Sequence, residues 1–402
     1  MATYYYNEDA TGTIDGLSEA TGYDGSTTAT LPDSSSAASR LSSVVNALQS
    51  GDILYVKRPA AGTDITWHAS VTTSTKSTDG PTRATGVGPV DIIGYGTTTD
   101  DGIRPSINMS SFVWRFQRAG GSIKHFNFKG SYTNAGMLRI ADSSLLQFCR
   151  AECSAGPGVE IFDEGKVDRC EIINTESLAS PSGYQECAVS LYGADHVSIT
   201  NCYIESRNGS HGIYVRRRAG GSTITNNIIN VNLDADGAGN SNGNGIIHES
   251  AAYGRGSCSR NIIHNANIGI QILRSGSDDR GPLTFSENII STCTKGMDGD
   301  SFYNQPLTTL DSRIVHPLRV YNNFYYANTS QNGFINNEDN ETVLAEDPFV
   351  DVSKKDFTIK NPSILANAFS KEFRQAGTSA SDHITRNSII GIRVPGEISR
   401  SF

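Results

Sequence analysis

One phrase recurs through this chain: "VDRCEII", "ITNCYIE", "ITNNIIN", "CSRNIIH", "FSENIIS" and "VYNNFYY" share a frame, with "IKHFNF" and "LLQFCRAE" as earlier variants. Aligned, they give one column of Phe126, Cys149, Cys170, Cys202, Asn227, Asn261, Asn288 and Asn323, at intervals of 23, 21, 32, 25, 34, 27 and 35 residues. A second column lies downstream of each phrase: Gly136, Gly158, Ala188, Gly212, Gly245, Gly269, Gly296 and Gly333, followed by alternating apolar residues such as "GIYV" and "GIQI". Two columns that keep step over roughly 200 residues define a repeat too short to bury a core of its own. Such units must stack.

Each repeat holds at least two short strands and absorbs insertions at one place. A parallel β-helix accommodates that pattern, with coils stacking at about 4.8 Å and alternate residues filling a narrow core. No leucine consensus or 3.6-residue period competes with it. A small polar residue repeated at one turn can form an internal ladder, bonding from coil to coil and meeting the needs of buried turn groups. Cys149, Cys170, Cys202, Asn227, Asn261, Asn288 and Asn323 are therefore read as structural rather than catalytic.

The ends break the pattern. A polar run leads into an amphipathic segment over residues 38–49, then Gly51 and the strand "DILYV". Residues 1–60 are thus an N-terminal cap of strand, helix and first coil strand, which shields an otherwise open sheet edge. Coils occupy 61–345, and 346–402 form a nonrepetitive segment expected to cap the other end or join a partner. The fold class is all-β, a single right-handed parallel β-helix with a helical N-terminal cap.

Composition agrees and narrows the partners. The formal charge of −9 disfavours nucleic acid, and no stretch is apolar for long enough to span a membrane. The seven cysteines are odd in number and lack a close pair, which reads as small, reduced, buried residues rather than a zinc site or disulfide framework. The opening "MATYYYNEDATG" has no basic and apolar leader, so an intracellular origin is expected.

The opening "YYYNEDATGTIDGLS", "ALQSGDILYVK", "VDIIGYGTTTDDGIRPSI", the "NNII" coils and the closing "DPFVDVSKKDFTIKNPS" together span most of the chain. In these the sequence resembles the right-handed parallel β-helix proteins of the pectate-lyase-like superfamily. That group includes polysaccharide lyases, glycoside hydrolases, adhesins, phage tailspikes and capsid decoration spikes. The resemblance implies a fold more than an activity. With no leader, it points first to a bacteriophage virion protein, a head decoration or tail spike assembled in the host cytoplasm. Its expected partners are two further copies in a homotrimer, capsid or tail proteins, and a host-surface polysaccharide. The alternative is an extracellular lyase or hydrolase acting on an acidic polysaccharide.

Chemistry is sought on the strand after the second column, where residues two apart point the same way. The outward positions read Glu160, Ser190, Tyr214, Ile247, Gln271 and Asp298, then Phe162, Tyr192, Arg216, Glu249, Leu273 and Asp300. Tyr192 and Tyr214 suit sugar rings, and Arg216, Arg217 and Arg218 suit carboxylates. Arg217, Arg218, Asp298, Tyr192 and Tyr214 are candidate substrate contacts. Arg216, Glu249 and Asp300 are candidate catalytic groups, with Glu249 and Asp300 two coils apart at a spacing of order 10 Å that inverting hydrolysis can use. A surface salt bridge between Arg216 and Glu249 is the competing structural reading. No cofactor is required. Asp234 and Asp236, in "DADG", are the weak candidates for calcium, since the later bidentate glutamate of a calcium loop is missing.

Overall fold

The computed structural model describes residues 2–11, 15–25, 29–30, 36–37, 40–74, 88–98, 101, 103–132, 136–175, 186–192, 196–207, 209–216, 221–231, 243–250, 256–274, 283–299, 319–332 and 341–360. Successive strands deal themselves in turn onto three long parallel sheets, of eleven, eleven and ten strands, each strand pairing with its equivalent one coil away. This is a parallel β-helix. The first sheet begins with Thr3–Tyr6 paired to Ile53–Lys57 and ends at Arg319–Tyr321. The second sheet runs from Ile65–Thr66 to Thr342–Val343, and the third from Val71–Ser74 to Ser330–Asn332.

Alternation sets the core. In the second sheet Phe128, Ala151, Ile172, Ile204, Ile229, Ile263 and Ile290 share one inward position, and all are buried. Near the N-terminal end the rungs are aromatic, with Trp67 stacked on Trp114 at 4.8 Å. The helix, Leu41–Ala47, is shorter than the amphipathic run suggests; its buried Leu41, Val44 and Val45 join the core.

The turn between the first and second sheets explains the repeated phrase. Its first residue takes a left-handed conformation in coil after coil, as at Asn201, Asn226, Arg260, Glu287 and Asn322, with φ between 54 and 58°. Asparagine tolerates that region better than most residues. The next residue is the rung. Asn227 donates from its backbone N–H and its amide to Asn261 Oδ1, both at 3.0 Å. Asn261 repeats both bonds to Asn288, and Asn288 to Asn323. Each amide also donates to a carbonyl inside the turn, for example Asn261 to Ile224 O at 2.9 Å. Asn227 Oδ1 accepts in turn from the N–H of Cys202, and Cys202 Sγ from that of Cys170. Cys149 and Cys170 point their thiols at carbonyls of the same turn. At the far end Glu341 Oε1 takes the two donors of Asn323. All seven cysteines are buried and reduced.

The glycine column holds from Gly158 to Gly296 and slips at both ends. Leu138 pairs with Val159, so Met137 rather than Gly136 is the equivalent of Gly158. Met297 pairs with Asn332, which puts Gln331 in line with Gly296; Gly333 itself lies outside the described residues. Aligning on glycine misplaces these two coils, because the close approach that requires it is confined to the middle. A Cβ on Gly245 would stand 2.4 Å from Ile263 Cγ2 and 2.5 Å from the carbonyl oxygen of Gly269.

Of the C-terminal segment, expected to close the end or reach a partner, residues 346–360 are described and lie along the side of the rod, while 361–402 lie outside the described residues. Phe349–Asp351 and Asp356–Ile359 form an antiparallel hairpin. The rings of Phe349 and Phe357 meet His264 edge-on at 6.4 and 5.6 Å. Lys355 pairs with the buried Glu205. Beside them Ile228, Ile262 and Ile289, which point outward from the second sheet, are buried in the cluster that contains Phe349, Phe357 and Ile359. Both isoleucines of "NNII" are therefore covered, Ile229 by the core and Ile228 on the outer face.

Candidate functional site

Register in the third sheet aligns Arg115, Arg139, Glu160, Ser190, Tyr214, Ile247, Gln271 and Asp298 in one outward column. A second column holds Tyr192, Arg216, Glu249 and Leu273, the first two just beyond strand ends, where Tyr192 N donates to Ile161 O and Arg216 N to Leu191 O. Regular pairing thus sets side chains from distant parts of the sequence about 5 Å apart between neighbouring coils.

Arg216 lies over the ring of Tyr192, its Cζ 4.1 Å from the centroid. Tyr192 is 38% exposed. The same guanidinium is 3.8 Å from Glu160 Oε1, and Arg139 Nε is 2.8 Å from Glu160 Oε2. Glu160 is buried between these two arginines. Arg115 adds a third cation next to Arg139 and packs at 5.6 Å over the ring of Phe162. Sequence reasoning missed Arg115 and Arg139, which precede the coils used to define the patch; strand register was the signal that could have found them.

Further along, Tyr214 donates to Glu249 Oε1 at 2.7 Å. Burial, reinforced by the adjacent Glu249, raises the Tyr214 phenol above its ordinary range. Beneath it Cys187, Ile247 and Leu273 form a small apolar cluster on the outer face. Asp298 takes an ion pair from Lys295 at 2.7 Å. The structure therefore brings Tyr192 together with Arg216, and Tyr214 with Glu249, while Asp298 engages its own strand. Asp300, Arg217, Arg218, Asp234 and Asp236 lie outside the described residues.

Two histidines adjoin these columns. His211 Nδ1 accepts from Asn244 N at 3.0 Å, and His248 occupies an inward position between Val215 and Ile272. Burial lowers each to about 4, so both are neutral at physiological pH.

Chemically, the face offers a flat aromatic surface, a cationic row and hydrogen-bonding groups on a rigid backbone. Its carboxylates are already engaged: Glu160 neutralises arginines, and Glu249 receives a phenol. A face so composed can hold a sugar ring and an acidic substituent side by side.

No family model matches the sequence, and comparison with curated proteins finds no match. Among solved structures, the fold is similar to that of pectate lyase Pel9A, with a TM-score of 0.51 and 12% identity over 99% of this chain and 90% of that one. Looser alignments reach an alginate lyase from Paenibacillus sp. str. FPU-7, with TM-score 0.38, 14% identity and coverage of 76% and 96%. A rhamnogalacturonan lyase aligns with TM-score 0.36, 13% identity and coverage of 82% and 69%. At this identity the first likeness establishes the parallel β-helix fold and nothing of the activity.

Proposed function

We propose that the protein is a glycan-binding β-helix whose third-sheet face takes an anionic polysaccharide, and that it serves as a rigid surface spike or decoration protein of a bacteriophage particle. The observation that carries the binding half is Arg216 over the half-exposed Tyr192, flanked by Arg139 and Arg115. An aromatic ring covered by a guanidinium pairs an apolar platform with a carboxylate ligand. The virion half rests on the sequence resemblance, and with it goes a homotrimeric assembly. Binding to a panel of acidic and neutral polysaccharides, with Arg216→Ala as control, tests the first half; solution mass tests the second. Failure of every acidic glycan to bind, or undiminished binding by the variant, refutes the binding reading, and a monomeric mass refutes the trimer.

A second reading is a depolymerase. It is favoured by the Tyr214–Glu249 pair, since a phenol and a carboxylate in contact can exchange a proton with substrate. Release of unsaturated or reducing ends from any bound glycan, lost in Glu249→Gln, decides for it.

A further inference from the structure

A different face of the rod holds polar groups whose bonding is unmet. Ser106, Asn127, Arg150 and Glu171 share one outward position in four successive coils of the second sheet, ahead of the C-terminal hairpin. Arg104, two residues before Ser106, is half-buried within electrostatic reach of Cys149 and Cys170 and of the Glu171 and Arg150 that follow them in sequence. Its Nε and Nη1, the Ser106 hydroxyl and the Asn127 side-chain carbonyl are all shut off from solvent, and none has a hydrogen-bond partner in the protein. The charge of Arg150 is already shared between Glu171 at 3.4 Å and Glu152 at 3.0 Å. No carboxylate of a described residue lies within ion-pair distance of Arg104.

A buried guanidinium without a direct ion-pair partner is a costly arrangement, and a folded chain rarely leaves several polar groups unsatisfied together. Water could meet the needs of Ser106 and Asn127, but it brings no charge to Arg104. A cation is ruled out by the donors that predominate. We propose that this row of unmet polar groups binds a small oxyanion, which accepts from Arg104 Nε–H and Nη1–H and from the Ser106 hydroxyl. The ligand chemistry is a sulfate or a carboxylate, supplied either as a free inorganic ion or by a sugar acid.

Glu171 makes the binding responsive to pH. It faces Arg150 and Arg104 on its own side, Glu205 from the next coil and Lys355 from the hairpin, and burial raises it to about 7. An anion beside it favours the protonated acid further, so binding takes up a proton and weakens as pH rises through neutrality. Nothing in this site depends on the third-sheet face.

The test is thermal unfolding in sodium sulfate and in sodium glucuronate, each against sodium chloride at equal ionic strength, with a selenate soak of crystals to locate the ion. Sulfate is expected to raise the Tm of the wild type by several degrees over chloride, more at pH 6 than at pH 8. Arg104→Met removes that response, and in chloride it unfolds no lower than the wild type because a buried charge without a direct ion pair is gone. Tyr192→Ala keeps the full response, separating this site from the other face. A glucuronate response abolished by Arg104→Met identifies a sugar acid as a ligand, whereas sulfate alone identifies a free inorganic anion. The proposal is overturned if no anion-specific shift occurs, if the shift survives in Arg104→Met, if that variant unfolds well below the wild type in chloride, or if the soak shows ordered water or an adventitious ion only.

Discussion

Arg216 and Tyr192, on neighbouring coils, are held face to face at 4.1 Å. Such a contact is worth roughly 0.5–1 kcal/mol at an exposed site, and its larger use is to fix the guanidinium. Tyr192→Ala is expected to weaken binding of an acidic polysaccharide by about tenfold, which corresponds to about 1.4 kcal/mol, with thermal stability nearly unchanged. Tyr192→Phe, which keeps the ring, should retain most of the affinity. Equilibrium titration by calorimetry separates the two.

The ladder predicts a much larger structural effect. Asn261→Ala orphans the backbone N–H and one of the two amide hydrogens of Asn227 and frees the carbonyl of Ile224. A loss of about 2–5 kcal/mol is expected from several buried groups at roughly 1–3 kcal/mol each, since they are not additive. Asn261→Cys should cost less, because Cys149, Cys170 and Cys202 already serve at this column. Denaturant unfolding of the two variants checks the order.

Close packing of the middle coils gives a third expectation. In Gly245→Ala the new methyl meets Ile263 and the Gly269 carbonyl at distances that force the coils apart. Overpacking of this kind costs about 1–3 kcal/mol, and in an Ile263→Ala background, where the clashing Cγ2 is gone, the penalty of Gly245→Ala should fall only in part, because the clash with backbone remains. Thermal unfolding of the single and double variants tests this.

Glu171 sets a pH dependence whose sign is fixed. Its folded-state value of about 7 lies above the ordinary carboxylate value of 4.5. A raised carboxyl binds its proton more tightly when folded, so its contribution is complete below about 4.5 and is lost as pH rises through 7. Glu171→Gln removes that loss. Relative to wild type it should gain up to about 3 kcal/mol between pH 4.5 and 8, measured as the difference between the two stability-versus-pH curves in chloride buffer. A flat difference would contradict the assignment.

The hairpin's tie to the rod is local and can be cut. Lys355 and Tyr203 both donate to Glu205, and Arg207 donates to its other oxygen at 2.6 Å. Lys355→Met should speed amide exchange across 349–359 while the coil amides of 199–291 keep their protection. Uniform loss of protection would mean that the hairpin is integral to the coils.

Much of this was readable because a solenoid writes its geometry as a period. The left-handed residue before each rung, the rung itself and the alternating core residues occupy fixed offsets in the sequence, so Asn227 could be assigned from its neighbours in other coils. The outward columns from Glu160 to Asp298 followed in the same way and agree with the observed register. What resisted was whatever depends on side-chain direction across coils. The spacing that suggested pairing Arg216 with Glu249 contains no hint that the arginine turns back to Glu160 and Tyr192 while Glu249 takes the Tyr214 phenol. Docking of Phe349 and Phe357 beside His264 likewise joins segments with no shared period, so the hairpin's place on the flank left no periodic trace.

The last rung has a consequence for length. An asparagine both accepts and donates, so each rung passes the pattern on and in principle never stops. The Glu341 side chain only accepts: it takes both donors of Asn323 and, when ionised, has no hydrogen of its own to offer onward. It acts as a chain terminator does in polymerisation, consuming the growing end without regenerating it. A β-helix written this way carries its own full stop, since its ladder hands no side-chain donor to a further coil.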